Sequence, residues 1–334
     1  MFHPSEKKFN HLLKNGYTVQ LWKEIPVGGV TPVSAYLKLG MNAPSCLLES
    51  VEGEKKFARY SFLILSPFVV YKSKNNSMEI TAAGTKKVIK TNDQLKYLKS
   101  ITSEFKVIHD KSLPCFSGGG VGYIGYDYIR NIEKIPNLKK DGLPFPELYF
   151  IFPKVIVSFD HQKRAIKIVR LLKPDEAINY KTACLEIDEI VEKLLGTVQV
   201  PVVSTQSKSG KIKSNTKKES FLSAVKKAKK YIKDGDIIQV TLSQRLDTTF
   251  DGEPFEIYKA LRTINPSPYM YYFNFDKLKI IGSSPEILVR LENGVANLRP
   301  IAGTRPRGKN EIEDKKLERE LLNNEKEKAE HLML

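Results

Sequence analysis

Two neighbouring stretches, Val155–Phe159 and Ala165–Leu171, carry apolar residues at strand spacing, the second as Ile-Lys-Ile-Val-Arg. Asp160-His161-Gln162-Lys163 separates them, and the pattern predicts a β-hairpin. Phe62–Tyr71, rich in aromatic and branched residues around Pro67, and Leu148–Phe152, ahead of Pro153, read as further strands. From Ala177 to Leu195 the period changes to that of a helix. Ala183, Ile187, Ile190, Val191 and Leu194 fall on one face, and the run stops before Gly196.

Between Gly196 and Ser214 the chain is polar, rich in small residues and without a sustained period, so a domain boundary is expected near 200–215. Thr216 and Glu219 have capping-box spacing ahead of a helix whose apolar stripe is Phe221, Ala224, Val225, Ala228, Tyr231 and Ile232. Gly235 ends it, and Asp236–Arg245 reads as a strand. The resulting division is an N-terminal domain over 1–200, a linker over 201–215 and a second domain over 216–334. Glu311–Leu334 reads as one highly charged helix, with Leu317, Leu321, Leu322, Ala329, Leu332 and Met333 expected at its buried positions. It carries no Gly, Pro or polar cap as a stop signal.

Charge and cysteine content remove several classes of function. Fifty-four Lys and Arg against 38 Asp and Glu give a net charge of +16, but Arg supplies only 11 of the cations and the lysines are scattered, most densely at Lys226, Lys227, Lys229 and Lys230. A nucleic-acid surface concentrates its cations and leans on Arg, so a solvated Lys-rich surface is the better reading and no nucleic-acid partner is expected. Three cysteines, Cys46, Cys115 and Cys184, lie far apart in sequence, which argues against a disulfide framework or a Cys-rich zinc site. Residues 1–14 lack a signal peptide's apolar stretch, and the most apolar segment, Leu148–Phe159, is interrupted by Pro153 and Lys154. It is far short of the ~20 residues a membrane helix needs. A soluble, cytoplasmic protein is expected.

Gly120-Val-Gly122-Tyr-Ile-Gly125 matches a dinucleotide fingerprint only by letters, because neither the flanking strand and helix nor the distal acid is in place; closely packed strand glycines account for it better. Glu327 and Glu330, three apart on one helical face, have the spacing of a Mg²⁺ carboxylate pair, or of two solvated acids among the seven Glu and one Asp after residue 310. Asn265-Pro-Ser-Pro268 is a rigid turn leading into the aromatic strand Tyr271-Tyr-Phe. Ser283-Ser-Pro-Glu286 sets one carboxylate before the apolar run Ile287–Val289, and Pro300–Gly308 forms a loop containing Arg305 and Arg307. Glu286 is by position either an ordinary turn acid or a catalytic one.

Taken together, Leu47-Leu-Glu-Ser50, Ala58–Phe62, Asp236–Arg245, Asn265–Met270, Gly282–Arg290, Arg299–Gly308 and Ala329–Leu334 closely resemble the chorismate-utilising family of anthranilate synthase component I, in family order from about residue 20 to the end. The resemblance implies an α+β fold of layered antiparallel β-sheets flanked by helices, with an N-terminal regulatory part. It implies conversion of chorismate and ammonia to anthranilate and pyruvate, the first step of tryptophan biosynthesis. Ammonia would come from glutamine through a separate amidotransferase subunit, and L-tryptophan would inhibit. By the same resemblance Glu286 matches the catalytic carboxylate, a general acid for departure of the hydroxyl. Gly303 and Thr304 match chorismate contacts, Glu330 a Mg²⁺ ligand and Glu327 a carboxylate behind it. Gln239 stands where water-using relatives carry a lysine base, a role glutamine cannot fill. Glu49, Ser50, Pro268, Tyr269 and Met270 match the tryptophan site.

Two features qualify that match. Ala302 replaces the covalent lysine typical of aminodeoxychorismate synthase, which favours anthranilate as product. A second Mg²⁺-binding Glu, a catalytic His and a Gly-rich segment of the family pattern have no counterpart before Leu334, so the chain is expected to be a C-terminally truncated, poorly active one with an unpaired sheet edge. An aminodeoxychorismate-type enzyme and a non-catalytic tryptophan-binding fragment remain as alternatives.

Overall fold

The computed structural model describes residues 1–51, 59–136, 143–197 and 209–334. In chain order the elements are β1 (Phe2–His3), α1 (Glu6–Lys14), β2 (Val19–Pro26), α2 (Pro32–Ala35, continuing into a π-helical turn), β3 (Ser45–Glu49), β4 (Tyr60–Lys74), β5 (Ser77–Ala82), β6 (Thr85–Lys90), α3 (Gln94–Glu104), β7 (Val121–Ile124), β8 (Leu148–Asp160), β9 (Ala165–Leu172) and α4 (Tyr180–Leu195). They are followed by β10 (Lys213–Ser214), α5 (Lys218–Asp234), β11 (Leu246–Asp247), α6 (Pro254–Ile264), β12 (Tyr269–Phe275), β13 (Leu278–Ser284), β14 (Arg290–Glu292), β15 (Val295–Asn297), α7 (Glu311–Asn323) and α8 (Glu325–Met333). Compactness divides the chain into Met1–Val198 with Tyr258–Leu334, and Gln199–Ile257. The expected linker lies outside the described residues as far as 208.

The first unit is organised by an eleven-stranded antiparallel sheet in the order β1-β2-β9-β8-β4-β3-β12-β13, with β7 also on β8 and the β5–β6 hairpin on β4. The expected hairpin is there, Asp160 pairing with Ala165. Pro153 does not divide β8, because it meets Pro67 at the irregularity where the β4–β8 register shifts. The whole of β9 is buried. Its polar residues are covered rather than solvated: Arg170 reaches Glu186 of α4 at 2.7 Å and Glu176 at 3.0 Å, and Lys167 reaches Glu24 at 3.2 Å. Helix α4 keeps its predicted face, with Ala183, Ile187, Val191 and Leu194 buried and Gly196 as C-cap.

The core gathers Ile64, Tyr71, Met78, Leu148, Ile151, Phe152, Ile156 and Phe275, with Tyr149 stacked on Phe275 at 3.9 Å between centroids. The Gly120–Gly125 stretch contains the strand β7. A Cβ on Gly122 would stand 1.9 Å from the carbonyl oxygen of Tyr149, so close strand packing accounts for this glycine.

Three local expectations fail for physical reasons. Thr216 does not cap α5, because its hydroxyl donates to Asn215 Oδ1 and its amide to Ser214 Oγ; the N-cap falls on Lys217. Residues 236–245 form no strand: no ladder among the described residues runs along them, only Arg245 at their end accepting the amide of Asn215 at 3.0 Å, and Ile238 is 78 % exposed. The terminal helix is two helices. Asn324, with extended backbone at ψ 119°, ends α7 and caps α8 by accepting the amide of Glu327, and neither helix has a buried residue. Gly235 terminates α5 as predicted, in the left-handed region at φ +82°. No helix among the described residues is long and apolar enough to cross a membrane.

Candidate functional site

Strand β12 is the element on which the candidate residues are ordered. On one side it pairs with β3, placing Met270 opposite Glu49; on the other it pairs with β13, placing Met270 opposite Ser283 and Tyr269 opposite Ser284. The turn that starts β12 is held from both neighbours. Ser283 donates to the carbonyl of Asn265 at 2.7 Å and meets the Ser267 hydroxyl at 2.8 Å, while the amide of Val51 donates to the carbonyl of Ser267 at 3.2 Å. The fold therefore brings Glu49, Ser50, Pro268, Tyr269 and Met270 to one end of the β3–β12 pair, although more than two hundred residues separate the two groups in sequence.

Glu49 is buried, a position a carboxylate occupies only with partners. The phenol of Tyr258 donates to its Oε2 at 2.5 Å and Arg262 Nε donates to the same oxygen at 3.2 Å. Burial, reinforced by the Glu49 charge, pushes the Tyr258 phenol far up, so it stays a donor. Nearby, Ser61 Oγ lies 2.8 Å from His161 Nε2, and burial holds that imidazole below its ordinary range.

At the far end of β13 the chain turns at Ser284, whose hydroxyl donates to the carbonyl of Glu286 at 2.9 Å. The carboxylate of Glu286 is exposed and accepts the backbone amide of Ile301 at 3.0 Å, joining the Ser-Ser-Pro-Glu turn to the Pro300–Gly303 loop. Glu286, Ser284, Arg299 and Pro300 line a cleft of about 490 Å³. Pro300 also borders a second cleft of about 600 Å³, lined by Ala302, Gly303, Glu327 and His331. The run Ile287–Val289 packs into no core, Leu288 being 90 % exposed.

The loop is locked onto α8 by Gly303, which sits against the carboxylate of Glu327. Arg305 donates to Glu327 at 3.1 Å, to Glu320 at 3.1 Å and to the carbonyl of Thr304 at 2.9 Å, and the two carboxylates raise its guanidinium further above its ordinary range. Thr304 itself is exposed. Glu327 and Glu330 share α8, and no cluster of three or more His, Cys, Asp or Glu that could hold a metal occurs among the described residues. Gln239 belongs to the Gln199–Ile257 unit, where it is exposed in irregular backbone.

Sequence reasoning gave no role to Tyr258, Arg262 or Arg305. Tyr258 and Arg262 are four apart on the amphipathic α6, which marks them as one face, but nothing in the sequence pairs that face with a carboxylate 209 residues upstream.

Residues 66–334 match the family of chorismate binding enzymes. Anthranilate synthase component 1 of Acetivibrio thermocellus is 42 % identical over 343 residues, covering 100 % of this chain and 69 % of that protein. The Aquifex aeolicus protein of the same name is 43 % identical, covering 99 % of this chain and 68 % of the relative. Among solved structures, anthranilate synthase component I from Streptococcus pneumoniae superposes with a TM-score of 0.69 at 30 % identity, over 93 % of this chain and 66 % of that one. The menaquinone-specific isochorismate synthase of Escherichia coli, TM-score 0.60 at 14 % identity over 97 % of this chain and 66 % of that one, shares the α+β fold. The chain spans about two thirds of the length of these relatives.

Proposed function

The chain belongs to the family of chorismate binding enzymes, and from that membership we propose that it is the chorismate-using component of an anthranilate synthase. Chorismate and ammonia give anthranilate, pyruvate and water: the nitrogen adds at C2, the 4-hydroxyl leaves, and pyruvate is eliminated. The observation that carries this reading is the hydrogen bond from the Ile301 amide to Glu286 Oε1. It brings the one carboxylate of the Ser-Ser-Pro-Glu turn to the loop of Gly303 and Thr304, the two stretches in which an acid and a substrate-binding amide and hydroxyl are needed together.

With Oε1 fixed by Ile301, Oε2 carries the proton that converts the 4-hydroxyl into water as it departs. The Gly303 amide and the Thr304 hydroxyl take polar substituents of the ring. Gln239 supplies no base for water, so ammonia is the nucleophile, and a methyl group at Ala302 excludes the covalent lysine route to a 4-amino product.

Mg²⁺ fits the residues present. It takes one or two protein carboxylates and keeps waters or substrate oxygens for the rest of its shell. Glu330 would bind it directly and Glu327, already engaged by Arg305, would stand behind it; when bound, the ion would supply positive charge for the substrate carboxylate. The relatives' name, component 1, points to a partner component, here a glutamine amidotransferase that delivers the ammonia. The setting is cytoplasmic. Glu49, Ser50, Pro268, Tyr269 and Met270 form the site at which L-tryptophan inhibits, a buried carboxylate and hydroxyl for the amino-acid end and a proline-aromatic turn for the indole.

The test is incubation with chorismate, Mg²⁺ and ammonium, with product identified by mass and fluorescence, with and without L-tryptophan. It is run on this chain and on its reading frame carried to the stop codon. Anthranilate suppressed by tryptophan supports the proposal; a 4-amino product, or none from the folded product of that reading frame, overturns it.

A further inference from the structure

We propose that Arg305 is a positioning residue for chorismate: acting through Glu327, it holds Gly303 and Thr304 at a set spacing from α8, so that both meet substrate in one arrangement. The inference rests on the reading of Gly303 and Thr304 as substrate contacts.

The Pro300–Gly308 loop has no regular backbone pairing, so side chains must set its course. Its two ends are held locally. Near the start, Glu286 accepts the Ile301 amide at 3.0 Å. At the far end, Asp314 accepts the Gly308 amide at 2.8 Å and Arg307 Nη1 at 3.0 Å. These contacts fix where the loop enters and leaves, and none of them reaches α8. The middle is held by Arg305. Its Nη1 donates to the carbonyl of Thr304 at 2.9 Å and to Glu327 Oε1 of α8 at 3.1 Å, and its Nε donates to Glu320 Oε1 of α7 at 3.1 Å. One planar guanidinium thus takes acceptors on the loop and on two helices, and it fixes their directions relative to one another.

No packed core does this in its place. Neither α7 nor α8 has a buried residue, and Pro300–Gly303 and Leu321, Leu322 and Leu332 border the cleft of about 600 Å³. The two carboxylates on Arg305 also differ. The Glu327 side chain is 18 % exposed against 56 % for Glu320, so the Glu320 arm reaches into solvent and the shielded Glu327 arm carries the position. Glu327 is gripped at Oε1 by Arg305, while its Oε2 abuts Gly303. A movement of the guanidinium therefore passes directly to the glycine that meets substrate. The bond to the Thr304 carbonyl fixes the peptide plane that follows the exposed Thr304 side chain.

The test is calorimetric titration with chorismate, at fixed Mg²⁺ and in ammonium-free buffer, on the product of the reading frame carried to its stop codon. Arg305→Gln should weaken chorismate by about 10- to 100-fold, the loss expected when a binding group is displaced by about 1 Å. Arg305→Lys should recover only part of it, because one ammonium cannot reproduce the fork. Glu320→Gln should stay within about threefold of the unaltered protein. Glu327→Gln should weaken binding, and the Arg305→Gln, Glu327→Gln double variant should be no weaker than the weaker single one, as for two residues acting as a unit. With ammonium present, KM for chorismate in Arg305→Gln should rise by the same factor while kcat changes less than about threefold, which marks lost binding and not lost active molecules. A loss smaller than about fivefold in Arg305→Gln overturns the proposal. Additive losses in the double variant, or a fall in kcat at unchanged KM, overturn it too, as the marks of a residue that is only structural. No chorismate binding by the unaltered, folded protein would overturn the reading of Gly303 and Thr304 as substrate contacts.

Discussion

A Cβ built on Gly303 would stand 2.0 Å from Oε2 of Glu327, so the Pro300–Gly308 loop meets that carboxylate, where it now lies, only because residue 303 has no side chain. Among the described residues the obstructing atom is the end of a side chain, not backbone. Glu327 can yield, but only by leaving Arg305, which it meets at 3.1 Å. Gly303→Ala is therefore expected to fold, with a melting temperature close to that of the parent, because Arg305 keeps its second carboxylate, Glu320, at 3.1 Å. Chorismate binding should weaken by at least about tenfold, since a 1 Å displacement at a binding loop is enough for such a loss. Differential scanning fluorimetry and chorismate titration on the same sample separate the two effects. A large fall in melting temperature would show that the loop is a stability element instead.

Gly122 presents the opposite case. Its absent Cβ would meet the carbonyl oxygen of Tyr149 at 1.9 Å and the Cα of Phe150 at 2.7 Å, both backbone atoms of the long central strand β8. Nothing there can rotate away. Gly122→Ala is expected to detach β7 from β8 and cost about 3 kcal/mol or more, the upper end of what overpacking causes. Urea unfolding measures this as a lowered midpoint. A midpoint shift no larger than that of an exposed-surface control such as Lys87→Ala on β6 would be evidence against the steric account.

These two glycines show where sequence reading stops. The hairpin of β8 and β9, the buried face of α4 and the Gly235 terminus follow from local pattern, because in each the period of apolar residues or the φ of one glycine decides the outcome. Asn324 was hidden because breaking a helix and capping the next are one residue's act, and its only sequence signal is the pair Asn323-Asn324 ahead of a charged run. Residues 236–245 have strand composition, yet a strand exists only when something pairs with it. For the candidate site, the residues with family likeness were legible, and the fold does bring Glu49 to Met270 and Glu286 to Ile301. Tyr258 and Arg262 were not legible, since their partner Glu49 is set by sheet order and not by spacing.

Acid should destabilise the first unit in two stages. His161 is held below its ordinary range by burial, so the unfolded chain binds a proton there before the folded one does. Its stabilisation is complete above about pH 6.5 and is lost as pH falls from there through the lower folded value. Asp160 is also depressed: burial alone would raise it, but the Arg59 hydrogen bonds and the amides of Lys163 and Gln162 outweigh burial. Its contribution is present above about pH 4 and disappears as pH falls through its own folded value. Urea midpoints at pH 7.5, 5.5 and 3.5 should decline in that order. His161→Asn should flatten the first interval and leave the second, and a decline unchanged in that variant would assign the upper stage to another group.

Glu286→Gln isolates the proposed acid from its structural role. Glutamine keeps an Oε1 that can accept the Ile301 amide, now at 3.0 Å, so the turn and the Pro300–Gly303 loop stay joined. What it loses is the proton for the departing hydroxyl. Loss of a general acid costs about 10²- to 10⁴-fold, so in the active anthranilate-forming protein kcat should fall by that factor while chorismate affinity and melting temperature stay near their original values. Glu286→Ala removes the acceptor as well and should lose the same rate together with some affinity, because the Ile301 amide no longer has a partner holding the loop. The decisive comparison is therefore between the two variants. Equal kcat losses with affinity lost only in Glu286→Ala support an acid that is also a tether; a Gln variant with kcat within a factor of about three of the parent removes Glu286 from the chemistry and leaves it as a tether alone.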